Sequence, residues 1–387
     1  MSTAGSEHTV QDSEDTLESG ASPLELFFDL VFVFAFTQVT SFLSDHLTWA
    51  GMLQGAALLA ALWWAWVGYS WLTNAVPAEE AIPARLVILS AMAAMLVASL
   101  AIPDAFGYGG VLFGGAYFVV RLLQVALYAL ATGDRPETRR AILRLAPGFL
   151  GGPALLVVAG FFDGLAQGAL WAVALAIDYG VPHIRGVVGF HVQAGHFVER
   201  HGLVIILALG ESIVAIGAVG LELDAGIILA AVFAIVLSAA LWWAYFDYVV
   251  LAAERRLTGA QGHQRVRLAR DSYSYLHLLM VAGIVFVALG IKKILAHVGD
   301  PLGVIPAVAL CGGVALYLLG HNAFRLRDHG SVSVPRLVVT AFSCALIPVA
   351  VQAPALVTIA ILAVLLVALA AFETVRSREF RRKLRAR

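Results

Sequence analysis

Glu25 and Asp29 stand four residues apart in E-L-F-F-D-L-V-F-V-F-A-F (25–36), at the mouth of a run of Phe, Leu and Val. That spacing puts both carboxylates on one helical face. Glu211 and Ser212 lie in L-A-L-G-E-S-I-V-A-I-G (207–217), again among residues that favour hydrocarbon. Tyr117, Arg121, Gln124 and Tyr128 recur at spacings of 4, 3 and 4, a polar stripe along one helix. Such groups can bind a cation, hold or pass a proton, or pair with one another as helix glue. An ionisable side chain in hydrocarbon is disfavoured by about 2.5–3.5 kcal/mol or more, so it turns toward protein or water. Glu25 also suits a plain helix cap, since N-terminal N–H groups carry partial positive charge. Asp29 lies a turn deeper, about 6 Å along the axis, and should face the interior of a bundle. Thr37 and Gln38 follow but fall off that face.

Arg121 and Glu211 are expected at similar depth and so are expected to pair, because an unpaired buried charge is far more costly than a paired one. Asp247 sits near the end of another apolar block, and Tyr317, His321 and Asn322 extend the polar inventory. His321, close to Arg325, reads as a surface residue. The stretch from His183 to His201 also holds His191 and His196, and H-x-x-E at 196–199 puts two potential ligands on one face. No cysteine or second close carboxylate supports a metal there, so Glu199 and Arg200 are read as anchoring the next helix. No cofactor, metal or nucleic-acid partner is expected. Ser212 beside Glu211 is the one nucleophile-and-carboxylate neighbourhood, and adjacent helix residues do not face each other; the chain is read as not an enzyme.

The elements that must position these groups are membrane helices. The 387 residues are 60% hydrophobic and 13% charged, against about half and a quarter in a soluble domain, and mean hydropathy is +0.87. The apolar residues come in blocks of about 20, the length that spans a bilayer. Twelve spans are expected: 24–43, 51–74, 85–102, 109–131, 140–161, 164–179, 202–220, 225–251, 272–294, 301–324, 335–352 and 355–375. The fifth is interrupted by Pro147 and Gly151-Gly152-Pro153, and the sixth is short. Cys311 and Cys344 read as packing residues in apolar blocks.

Charge is sorted along the chain. Of the 25 lysines and arginines, 22 fall in the tail after residue 375 or around Arg85, Arg135–Arg144, Arg185 and Arg200, Arg255–Arg270 and Arg325–Arg336. Lys292 and Lys293 belong to the opposite face. Basic loops stay cytoplasmic, so both termini are expected inside. The acidic segment 1–23 is read as a disordered tail without a basic signal-like start, and 377–387 as a basic tail. W-W-A-W-V-G-Y-S-W-L (63–72) aligns with W-W-A-Y-F-D-Y-V-V-L (242–251), and Tyr117 and Arg121 with Tyr317 and His321. This predicts two parallel six-helix halves, 24–180 and 202–376, joined by a connector over 181–201.

At E-L-F-F-D-L-V-F-V-F-A (25–35), H-F-V-E-R (196–200) and L-A-L-G-E-S-I-V-A-I-G (207–217), the chain resembles the bacterial low temperature requirement protein A family, LtrA, across about 22–376. The resemblance implies a multi-spanning bacterial membrane protein, with Glu25, Asp29, Glu199 and Glu211 as the matching signature acids. On the residues, the chain reads as a secondary transporter or channel for a small solute or ion. Glu25, Asp29, Arg121, Gln124, Glu199, Glu211, Ser212 and Asp247 would line the path, with proton coupling through Glu211. The alternative is a non-transporting membrane protein that supports or senses the envelope in the cold.

Overall fold

The computed structural model describes residues 20–76, 79, 81–217, 224–247 and 249–376. The basic tail and all but the end of the acidic segment lie outside the described residues. The elements are α1 (Pro23–Asp45), α2 (Trp49–Ala75), α3 (Ile82–Leu100), α4 (Gly110–Ala131), α5 (Pro136–Ala159), α6 (Gly164–Arg185), α7 (Ala194–Gly217), α8 (Ala225–Phe246), α9 (Val249–Gly259), α10 (Gly262–Leu268), α11 (His277–Ala296), α12 (Val304–His329), α13 (Val334–Ala345), α14 (Ile347–Ala350) and α15 (Ala355–Arg376). A π-helical segment, Ala269–Leu276, joins α10 to α11. Among the described residues there is no β-strand, and eleven helices are long and apolar enough to cross a membrane.

The twelfth crossing is α13 with α14. Its start is fixed by Arg336, which bonds Ala244 O near the end of α8 and Glu373 near the end of α15. Its end lies at the opposite face, where Leu302 N donates to Ala350 O and Ala355 N to Asp300 O. That face also receives Lys293, whose Nζ donates to Ser44 O near the end of α1 at 2.9 Å. Pro23 and Arg376 therefore lie at one face, the face that carries most of the arginines.

Local chemistry explains the helix boundaries. Ser22 caps α1 in a capping box with Glu25, and Pro23 opens the helix. α5 runs unbroken through Pro147 and Pro153, because freed carbonyls between packed helices can be re-satisfied locally. Gly152 in α5 is required by packing: a Cβ there would lie 2.8 Å from Ala174 O of α6. The apolar windows drawn from sequence misplace several ends, among them that of α12, which continues to His329. α6 continues to Arg185, and α7 begins at Ala194 rather than 202. His196, Arg200 and His201 thus belong to a helix; His196 and Arg200 meet acids of α1, and the His201 ring packs among Trp66, Tyr273 and His277.

The segment Ala269–Leu276 ties the two sets of helices together. Trp63 Nε1 donates to Ser274 O at 2.7 Å and Trp71 Nε1 to Ser274 Oγ at 2.9 Å. Tyr275 OH donates to Tyr179 O, and Arg270 Nη1 to Pro182 O at 3.3 Å. All of these acceptors and donors except Tyr179 and Tyr275 are buried.

Candidate functional site

α1 and α7 run side by side in the same direction, and polar groups meet along their seam at two levels. At the level nearer the arginine-rich face, Arg200 Nη2 lies 3.0 Å from Asp29 Oδ1 and Nη1 lies 3.4 Å from Glu25 Oε1. His196 Nε2 contacts Glu25 Oε2 at 3.0 Å. Trp66 Nε1, from α2, donates to Asp29 Oδ1 at 2.9 Å, and its ring lies under the Arg200 guanidinium at 5.7 Å. Asn74 holds the loop before α7, accepting from Gln193 N and donating to Gln193 O, and it contacts His196 Nδ1 at 3.1 Å. Asp29 and Arg200 are 1% and 0% exposed. Asp29 Oδ2 and Arg200 Nε have no hydrogen-bond partner.

The second level lies about 12 Å further along α1. Thr37 Oγ1 donates to Glu211 Oε2 at 2.7 Å. Lys292, on α11, is the cation whose charge reaches Glu211. Between the levels both helices are apolar and buried: Phe32, Ala35 and Phe36 on α1, Val204, Ile205 and Ala208 on α7.

Arg121 and Gln124 form a separate centre. Arg121 Nη2 lies 3.4 Å from Asp178 Oδ1 on α6, and Nη1 donates to Gln124 Oε1 at 2.6 Å and to Trp64 O at 3.3 Å. Tyr117 OH reaches Ala61 O at 3.0 Å and Asp178 Oδ2 at 3.3 Å. The expected Arg121–Glu211 pair is not formed. α4 packs on α2, α3 and α5, whereas α7 packs on α1, α8 and α11. The depths also differ, with Arg121 midway along α4 and Glu211 in the last third of α7.

The sequence matches the family described as bacterial low temperature requirement A protein (LtrA) over residues 20–371. The chain belongs to the LtrA family. It is also similar to an uncharacterized protein of Rhizobium meliloti (strain 1021), 32% identical over 322 residues, which cover 79% of this chain and 77% of the relative. No solved structure matches at a significant level.

In this LtrA chain the structure brings Glu25, Asp29 and Glu211 to one seam. Glu199 is exposed, its carboxylate beside Gly20 just before α1, and its neighbour Arg200 makes the contact with Glu25 and Asp29. Ser212 is buried with an unpartnered Oγ. Asp247 closes α8 as its C-cap. Thr37, expected off the acidic face, meets α7 as Glu25 and Asp29 do. His321, expected at the surface, is 2% exposed. Asp178, Arg200 and His196 were missed as site residues. Asp178 had a visible signal, an acid inside an apolar block, but a sixth span ending at 179 put it at a surface. His196 and Arg200 were assigned to a connector for the same reason.

Proposed function

We propose that this LtrA-type membrane protein conducts or transports a small ion or solute along the α1–α7 seam, with proton coupling. The observation that carries this is the charge balance at the inner level. Glu25 and Asp29 are held by one guanidinium, that of Arg200, so the buried cluster lacks one positive charge. An uncompensated buried charge is costly by several kcal/mol; a proton, on His196 or a carboxylate, or a bound cation supplies the balance. Glu211 is a second acceptor on the same seam. The apolar layer between them closes the path, as an occluded state requires, and Thr37 and Glu211 wait beyond it. The arginine-rich face is the cytoplasmic one in this reading, within the bacterial inner membrane. We read the chain as a non-enzyme: Ser212 Oγ lacks a base, while Glu211 is engaged by Thr37.

The test is flux. Purified protein in liposomes with a trapped pH-sensitive dye, under an imposed potassium diffusion potential, should move protons faster than empty liposomes. Asp29→Asn and Glu211→Gln should each abolish the difference. Flux equal to empty liposomes, or unchanged in both variants, removes the seam from the mechanism.

A second reading has its own observation. The apolar layer could be permanent, with the carboxylates locking α1 to α7 in a non-transporting protein that supports the envelope. Full rescue of a cold-growth defect by both variants would favour it.

A further inference from the structure

At the inner level of the seam, the orientation of one side-chain amide fixes the protonation of its neighbours. Asn74, on α2, is buried. Its Oδ1 accepts from Gln193 N at 2.9 Å, and its Nδ2 donates to Gln193 O at 3.0 Å. Exchanging the two atoms would set oxygen against carbonyl and N–H against N–H, so the Gln193 backbone decides which is which. The second hydrogen of Nδ2 is then the one that faces His196 Nδ1 at 3.1 Å. A ring nitrogen that accepts a hydrogen bond carries no proton. The imidazole proton is therefore on Nε2, which donates to Glu25 Oε2 at 3.0 Å. His196 is neutral for as long as Asn74 holds it.

The two acids of α1 are not alike. Glu25 also accepts from Ser22 N at 2.9 Å, lies 3.4 Å from Arg200 Nη1 and has the Thr73 hydroxyl beside it. Every group it meets can donate, which suits a carboxylate. Asp29 Oδ1 takes both Trp66 Nε1 and Arg200 Nη2, whereas among the described residues Oδ2 takes nothing. The other ionisable groups nearby add no positive charge. His201 donates Nδ1–H to Phe197 O and leaves Nε2 unpartnered, as a neutral ring does. Glu199 and Glu254 border a cavity of about 330 Å³ with His196.

We propose that the proton balancing Arg200, Glu25 and Asp29 resides on Asp29 Oδ2, and that Asn74 is the positioning residue that denies it to His196. Asp29 thereby becomes the proton-bearing group of the proposed seam path, on whose charge balance this rests. With Asp29 neutral, Arg200 and Glu25 form a balanced pair, and Oδ1 still accepts from both donors as the carbonyl oxygen of the acid. One unsatisfied buried O–H is far less costly than one uncompensated buried charge. Protonating His196 instead would aim Nδ1–H at an N–H of Asn74.

The experiment uses the full chain in lipid nanodiscs at about pH 6. There an exposed histidine (pKa about 6.5) is mostly cationic and an exposed aspartate (about 3.9) is ionised. In protein labelled with ¹⁵N-histidine, the His196 ring signals, assigned by their loss in His196→Gln, should be those of the neutral Nε2–H tautomer. With ¹³C at the aspartate carboxyl, the infrared spectrum should hold a down-shifted carbonyl stretch of a protonated acid. That band should vanish in Asp29→Asn and persist in His196→Gln. Asn74→Ala removes the donor without adding charge: an imidazolium signal should appear at His196 and the Asp29 band should fall by about half or more. Unchanged elution on gel filtration marks each variant as folded. An imidazolium at His196 in the parent, or no acid band that depends on Asp29, overturns the proposal. A band unchanged in Asn74→Ala removes Asn74 from it. Neither readout measures flux, so a seam that carries no protons and an Asp29 that holds none are separate results.

Discussion

In α1–α6 a buried arginine rises from the fourth crossing helix, as Arg121; in α7–α15, besides Arg200 and Arg270, one rises from the fifth, as Arg336. Arg121 and Arg336 each meet a carboxylate of the last helix in their set, Asp178 on α6 and Glu373 on α15. Each also donates to a carbonyl of the second helix, Trp64 O and Ala244 O. A tyrosine of the fourth helix does the same in both sets, Tyr117 to Ala61 O and Tyr317 to Leu241 O. The acceptors are 180 residues apart in both cases (64 and 244, 61 and 241), one residue off the tryptophan-pair alignment. The surroundings differ. Arg121 stacks 4.9 Å from Phe149 beside Gln124, at a cavity of about 50 Å³, room for a few waters. Arg336 sits in a wall of an open cavity between α9, α12, α13 and α15. One arrangement of partners thus borders a small cavity in one case and a large one, about 700 Å³, in the other.

The largest effect should come from breaking the Arg121–Asp178 pair. Arg121→Leu leaves Asp178 without its cation and should lower stability by about 3–5 kcal/mol. Arg336→Leu leaves Glu373 beside the open cavity and should cost roughly 1–3 kcal/mol. Unfolding in detergent by circular dichroism measures both, and equal losses would erase the distinction. Adding Asp178→Leu to Arg121→Leu should recover most of the first loss.

Gly68→Ala comes next. Its Cβ would lie 2.4 Å from Gln124 Nε2 and 2.5 Å from Arg121 Nη1, so overpacking should cost about 1–3 kcal/mol in the same assay. A smaller effect sharpens the equivalence of the two arginines. His321 occupies the place of Arg121, four residues beyond the tyrosine of the fourth helix. His321→Arg in an Arg336→Leu background should restore about 1.5 kcal/mol by re-forming a charge-assisted contact with Glu373; no recovery would mean that the fourth helix of this set cannot carry the cation. The smallest change is Ala252→Phe at the edge of the open cavity, expected within about 0.5 kcal/mol of the parent.

The membrane fold was legible because hydrocarbon imposes length and apolarity on every crossing helix, and the twelve apolar blocks follow from that alone. Glu25, Asp29 and Glu211 were legible as site candidates for the same reason, since acids are rare where lipid is the alternative. What the hydropathy of a window cannot show is polarity placed inside a helix to meet another helix. The run from His196 to His201 looked like a connector and is the first two turns of α7. Partners were the least legible part. Similar expected depth suggested Arg121 with Glu211, but depth along a helix says nothing about which helices touch. Asp178 was the nearer carboxylate because α4, α5 and α6 pack consecutively.

The double hold of Ser274 on Trp63 and Trp71, with Arg270 reaching a carbonyl of α6, limits how the molecule can move. Parting α2 from the π-helical segment would leave two indole donors stranded in a dry interior, at about 1–3 kcal/mol apiece. Any opening that keeps these bonds must then carry α2, α6 and residues 269–276 as one stator.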